Sequence, residues 1–385
     1  RMEMGPLAGI RVIEMAGIGP VPLCGMMMAD MGAEVFLVER RSAASSESTL
    51  HVSKRDTMKR GKKIVALDMK DPACIQVLLS MVEKADVLIE GFRPGVMERL
   101  GLGPAICLEK NPALVFARLT GWGQEGPLAQ VPGHDPNYIA LTGVLHHSGD
   151  ADMPPQAPPT LLGDCAGGAA MMAWGISSAL IPALREGRGQ VIDAAIVDGI
   201  AYLATFARSF YHAEQLSDDR GASWLDGAAP WNRSYGCLGG GYITLCPVEE
   251  RFYLVLLAKL NLTEHPLFIS AKQFDNTCWA LQVDHLKTLF GSESRQYWCD
   301  LLEGSDACFT PVLSYGEAHE HPHGKARNAY VEVDGQWQPA PAPRFSVTVA
   351  EPAWEETPSL HAANILTGMG VPTELLRAAG VTTSE

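Results

Sequence analysis

Three side chains in this sequence sit where a proton could be moved. His134 lies in Gly-His-Asp-Pro-Asn-Tyr, residues 133–138, between a glycine and a proline that favour a turn. Asp164 lies in "GDCAGG", 163–168, where a loop becomes a long apolar helix, and Glu249 follows a proline turn in "CPVEERFY". Each has an ordinary explanation when taken singly. Asp164 could be an N-cap, His134 a hydrogen-bonded turn residue and Glu249 a first-turn helix charge. As a set they suit removal of a proton from a carbon beside a carbonyl. That chemistry needs a base titrating near neutrality, and imidazole is the natural one. It also needs donors for the oxygen that collects the charge. Glycines around Asp164 let a ligand approach the N–H groups of a helix start.

Other chemistry-bearing features read as structure. The turn Gly17-Ile18-Gly19-Pro20-Val21-Pro22 follows a strand, but proline stands where a dinucleotide-binding turn has its third glycine. His319, His321 and His323 alternate in "HEHPHG" with proline between, so a solvated loop is expected and no metal. Cys165 could have its pKa lowered by a helix start but has no histidine beside it in sequence, and it is expected not to be a nucleophile. "MMM" at 26–28 and "MM" at 171–172 fit core packing first and an adaptable acyl surface second.

The elements that must position these residues alternate strand and helix. Strands are expected at 10–16, 33–40, 63–69, 85–92, 113–123 and 190–196, and helices at 23–32 and 72–84, with a long helix after Asp164 that stops at "REGRG". This alternation predicts an α/β fold with a parallel sheet. From 239 to 260 a strand, a turn and a helix open a smaller α/β portion. The stretch 334–346 reads as proline-rich and extended, and "PTELLRAAGV" as a final helix.

Composition narrows the function. The chain has 385 residues, 47% hydrophobic and 19% charged, enough for a substantial core. Its net charge of −14 argues against nucleic acid or an anionic membrane as partner, while leaving room for an anionic small molecule held by local arginines. Nine scattered cysteines without a CxxC fit reduced thiols in an intracellular compartment. The start lacks a signal-peptide h-region, and "TTSE" carries no peroxisomal signal, so an intracellular location is expected, cytoplasmic for a bacterial source. The run 167–184 contains Ser177, Ser178 and Pro182 and reads as a buried helix rather than a membrane span.

Several stretches carry a resemblance. "GPLAGIRVIEMAGIGPVP", "DVLIEGFRPGVMERLGLGP", "ARLTGWGQEGP", "GHDPNY", "GRGQVIDAAIVDG", "LDGAAP" and "SDACFTPVL" resemble the α-methylacyl-CoA racemase group of the family III CoA-transferase superfamily, from about residue 6 to 345. The resemblance implies a Rossmann-like large domain, residues 1–200 completed by 325–385, a small α/β domain at 225–320, a linker at 201–224, and an interlocked homodimer. It implies His134 and Asp164 as the two bases, with Glu249 bonding the histidine across the subunit interface. Contacts to the coenzyme A thioester would come from Arg40, Leu67, Asp68, Met69, Lys70, Gly91, Phe92, Arg93 and Arg99. Further contacts would come from the backbone of 133–138 and 163–168, at Gly133, Asp135, Asn137, Tyr138, Gly163, Gly167 and Gly168. The implied activity is cofactor-independent interconversion of R and S 2-methylacyl-CoA in fatty acid metabolism. Transferases of the superfamily place a nucleophilic aspartate at the Asp164 position, so CoA transfer is the alternative activity, and a CoA-ester binding protein without turnover is a third. Departures at Pro136, Cys165-Ala166, Glu250-Arg251, Trp224 and Asn232 surround the acyl end and leave the acyl group open.

Overall fold

The computed structural model describes residues 5–41, 56–269 and 273–382, so Arg1 and the last residues of "TTSE" lie outside it. The chain divides into two units: one comprises 1–142, 158–203 and 331–385, the other 143–157 and 204–330.

The larger unit is built on six strands: β1 Arg11–Met15, β2 Glu34–Arg40, β3 Lys62–Leu67, β4 Val87–Glu90, β5 Val115–Thr120 and β6 Gln190–Ala195. Their order is β3-β2-β1-β4-β5-β6, and every pairing is parallel. This is the parallel sheet predicted from the alternating pattern, in a doubly wound order. All four residues of β4 are buried, which explains why the central strands read as unbroken apolar runs. The helix Pro72–Lys84 starts where Asp71 accepts a hydrogen bond from the Ala73 N–H at 2.9 Å, with proline in the first turn. Its Val77, Leu78 and Met81 share a core with Leu366, Met369 and Leu376 of the C-terminal helices Ala362–Met369 and Thr373–Ala378. The tail therefore completes the unit that the N-terminal half begins.

Between β1 and β4 the strand order reverses direction. The carboxyl ends of strands diverge there, and open α/β sheets hold ligands in that crevice. Buried charges brace its surroundings. Lys62 pairs with Glu14 at 2.6 Å and donates to the Pro22 carbonyl at 2.8 Å, tying β1 and β3 to the helix Pro20–Asp30. Burial outweighs the attraction of Lys62 and pushes the Glu14 carboxyl up to about 7. Next to β4, Glu90 accepts from Arg118 and from the Phe92 N–H, each at 2.8 Å, which fixes the chain leaving the strand.

The smaller unit holds an antiparallel sheet, β7 Arg233–Gly236, β8 Tyr242–Leu245 and β9 Phe309–Val312, with β8 central. Trp231, Tyr253, Phe268, Phe290 and Trp298 form its core. Two segments fall elsewhere than the sequence reading put them. Residues 143–157, expected within the large domain, belong to this unit: Arg220 donates to the carbonyls of His146, Asp150 and Met153 at 2.9, 3.0 and 2.5 Å. The expected linker 201–224 contains the helix Thr205–His212. Part of the stretch 334–346 is also regular. Gln336–Pro339 pairs with Tyr330–Val333 as a hairpin, turning at Asp334-Gly335 with both φ positive. An Asp-Gly between two short apolar-alternating runs is the signal that would have revealed it.

The helical run Leu161–Glu186 is, among the described residues, the one segment long and apolar enough to cross a membrane, and half of that stretch is buried within the fold.

Candidate active site

Two cavities open at the carboxyl ends of the parallel strands, both walled by the larger unit alone. The first, about 910 Å³, is lined by Gly17, Ile18 and Gly19 after β1, Gly91 and Phe92 after β4, and Leu119 to Gly121 at the end of β5, together with His134 and Asp164. The second, about 400 Å³, is lined by Glu39 to Arg41 at the end of β2 and Asp68 to Lys70 after β3. Ala16 and Phe92 belong to both walls, so the cavities adjoin at the strand-order reversal.

His134 is placed by local sequence. It precedes the short helix Asp135–Ala140, and its N–H donates to Asn137 Oδ1 at 3.0 Å. Tyr138 anchors the turn from within: its hydroxyl donates to the Gly133 carbonyl, and its ring passes so close to Gly121 that a Cβ there would lie 2.1 Å away. The imidazole is left exposed at the cavity.

Asp164 is not an N-cap. Its helix begins three residues earlier, at Leu161, with π-type hydrogen bonding through Ala170 before continuing as Met171–Glu186. Glycines let it pack deep. Gly167 and Gly199 approach so nearly that a Cβ on Gly199 would lie 2.1 Å from the Gly167 carbonyl oxygen. Burial, followed by the charge of Asp135, pushes the Asp164 carboxyl up to about 6, with His134 pulling the other way. A carboxyl there can both take and return a proton near neutrality.

The expectation that the Asp164 amide serves an oxyanion is overturned. That N–H donates to Asp135 Oδ2 at 2.7 Å, and the Cys165 N–H to the Thr160 carbonyl at 3.1 Å, so neither donor is open. The Asp135 side chain is buried and spends a carboxylate oxygen on this bond, while the residue also lines the cavity, as the expected backbone contact requires. Gly163 abuts its carboxylate, and Gly167 and Gly168 face Ile200, Ile196 and Pro20 rather than the cavity. The Asn137 side chain caps the turn.

Of the expected CoA contacts, Arg40, Asp68, Met69, Lys70, Gly91 and Phe92 wall the cavities. Leu67 is wholly buried in the core and walls neither cavity. Arg93 and Arg99 are exposed and wall neither cavity. Sequence reasoning missed Arg41, beside Arg40, and set aside the turn after β1. A glycine-rich turn after the first strand of such a sheet was the available signal.

Glu249 belongs to the smaller unit, where it precedes the helix Glu250–Lys259 and is exposed. Cys165 is half-buried with its thiol pushed up, which disfavours the thiolate. His321 has an acidic neighbour the sequence did not reveal: Glu303, at 2.5 Å. No cluster able to hold a metal occurs among the described residues.

Comparison with known proteins gives the chain its relatives. It is 39% identical over 372 residues to alpha-methylacyl-CoA racemase of Mus musculus, covering 96% of this chain and 94% of that protein. It is 29% identical over 344 residues to acetyl-CoA:oxalate CoA-transferase of Acetobacter aceti, covering 87% and 88%. The crystal structure of a CaiB/BaiF family protein from Brucella suis has the same fold, with a TM-score of 0.76 at 23% identity, covering 95% of this chain and all of that one. Residues 7–364 match CoA-transferase family III, and the chain belongs to that family.

Proposed function

We propose that this protein is a racemase of 2-methylacyl-CoA thioesters. The observation that carries the reading is that His134 and Asp164, the latter with its carboxyl raised to about 6, line one cavity at the strand-order reversal. One base takes the α-proton as the C–H bond breaks, and the electron pair moves onto the thioester oxygen. The conjugate acid of the other base then gives its proton to the opposite face of the α-carbon. Both bases return to their starting states through solvent. No cofactor enters these steps. The CoA portion lies along the second cavity, where Arg40 and Arg41 offer forked donors to phosphates. Long-range repulsion from the acidic surface is screened within about 10 Å at 0.1 M salt.

The active assembly in this reading is a homodimer with interlocked chains, in which Glu249 of one copy orients His134 of the other. An exposed apolar stripe supports a protein partner: Trp174, Ile181 and Leu184 lie along one helix, and Trp174 stacks on Tyr202 with ring centroids 6.4 Å apart.

The test is incubation with an R-2-methylacyl-CoA in D₂O without an acceptor acid. Deuterium should enter at the α-carbon while the centre inverts. An Asp164 adduct trapped by hydroxylamine, with no α-exchange, would instead establish CoA transfer.

A further inference from the structure

The contact that occupies the Asp164 amide has a use of its own. Asp135 follows the first base directly in sequence, and its buried carboxylate accepts the backbone N–H of the second at 2.7 Å. The fit is close. A Cβ on Gly163 would lie 2.7 Å from Asp135 Cγ, so only glycine lets the carboxylate seat there. On the other side, the His134 N–H is held by Asn137 Oδ1 at 3.0 Å, and the Tyr138 hydroxyl by the Gly133 carbonyl. The two segments carrying the bases are thus joined by a short charge-assisted bond from the Asp164 backbone N–H to the carboxylate beside His134.

We propose that Asp135 is a positioning residue whose carboxylate sets the spacing of His134 and Asp164 without itself contacting the thioester. The inference rests on the racemase reading for its consequence and on the hydrogen bond for its existence. Bases on opposite faces of one carbon must each reach it, and a misplacement of about 1 Å costs about 10²-fold in rate. Asp135 also brings a negative charge to Asp164. His134 opposes it, and Tyr138 and Cys165 are the other titratable groups whose ionisation responds to Asp164. The turn before Pro20 and the helix Ile196–Leu203 contribute Gly19, Pro20, Ile196 and Ile200, which do not titrate.

The test compares Asp135→Ala with Asp135→Asn. Alanine removes the acceptor and should lower kcat about 10²-fold with KM for the thioester little changed. Asparagine keeps an acceptor oxygen and should recover most of that loss. It also removes the charge, so the Asp164 carboxyl should titrate at lower pH. That titration is read by ¹³C NMR of the unliganded protein with carboxyl-labelled aspartate, the Asp164 signal being assigned with Asp164→Asn. A rise in KM alone would make Asp135 a ligand contact and overturn the proposal. So would unchanged kcat and unchanged titration in both variants, or an asparagine variant as slow as alanine with Asp164 titrating as in the wild type. If the alanine variant does not fold, the asparagine titration and kcat decide. A wild type that exchanges no α-proton would end the racemase reading instead, and the NMR titration would still report on Asp135.

Discussion

At the level of single residues, the site separates two acid–base groups by environment. His134 is exposed on a turn, while Asp164 is partly buried beside another carboxylate. His134→Ala should lower inversion by about 10²–10⁴-fold, the usual worth of a general base. Asp164 could still remove a proton from its own face, so slow deuteration of one enantiomer should survive; equal loss of exchange from both would contradict a two-base arrangement. The raised Asp164 carboxyl sets the pH dependence. In the direction where Asp164 takes the proton, kcat/KM should climb as pH rises through about 6, and in the reverse direction it should fall through the same region. A raised carboxyl favours the folded state below its ordinary value of 3.8 and loses that contribution as pH rises through about 6, so Asp164→Asn should melt higher than the wild type at pH 8. Rate limbs in the ordinary carboxylate range would show that the environment does not act as described. Arg40→Ala should raise KM for the thioester more than it lowers kcat, and an unchanged KM would remove Arg40 from the CoA site.

Between residue and molecule stand the elements that hold the site. The helix bearing Asp164 begins with π-type turns and rests on the helix Ile196–Leu203 through Gly167 and Gly199. Backbone lies against backbone there, with no flexible side chain to give way. Gly199→Ala should therefore push the two helices apart, costing about 1–3 kcal/mol in denaturant unfolding and displacing Asp164 enough to lower kcat. Gly187→Ala is the informative control, because a Cβ there meets nothing within 4 Å and the cost is confined to its left-handed φ of +66°. Similar kcat losses in both variants would argue against the helix contact.

For the whole molecule, both cavities are walled by the larger unit, while Glu249 belongs to the smaller one. Trp174, Ile181, Leu184 and Tyr202 remain largely exposed in the single chain, with relative exposures of 59%, 53%, 62% and 62%. The proposed dimer accounts for both facts. Sedimentation velocity should find a dimer at the lowest concentration that supports activity, with an interface well above the standard 1,600 Å² of total buried area. Activity that persists in a monomer would sink the interlocked assembly and the role of Glu249 with it.

The sequence by itself determined the architecture of the larger unit, because strands buried on both faces must be continuous apolar runs and the helices between them break that pattern. Five of the six strands fall within the stretches read as strands, β3 beginning one residue before its stretch, and the helix Pro72–Lys84 lies where it was expected. His134 was legible from the glycine and proline that mark its turn, whereas the glycines that drew attention to Asp164 turn out to serve helix packing. Other features depend on partners distant in sequence, which no local pattern encodes. The bond from Asp164 to Asp135 spans 29 residues, and the docking of 143–157 through Arg220 spans about 70. That Asp135 turns inward to a backbone amide, and that Arg40 and Arg41 share a cavity with Asp68 to Lys70, were decided only when the sheet brought its strand ends together.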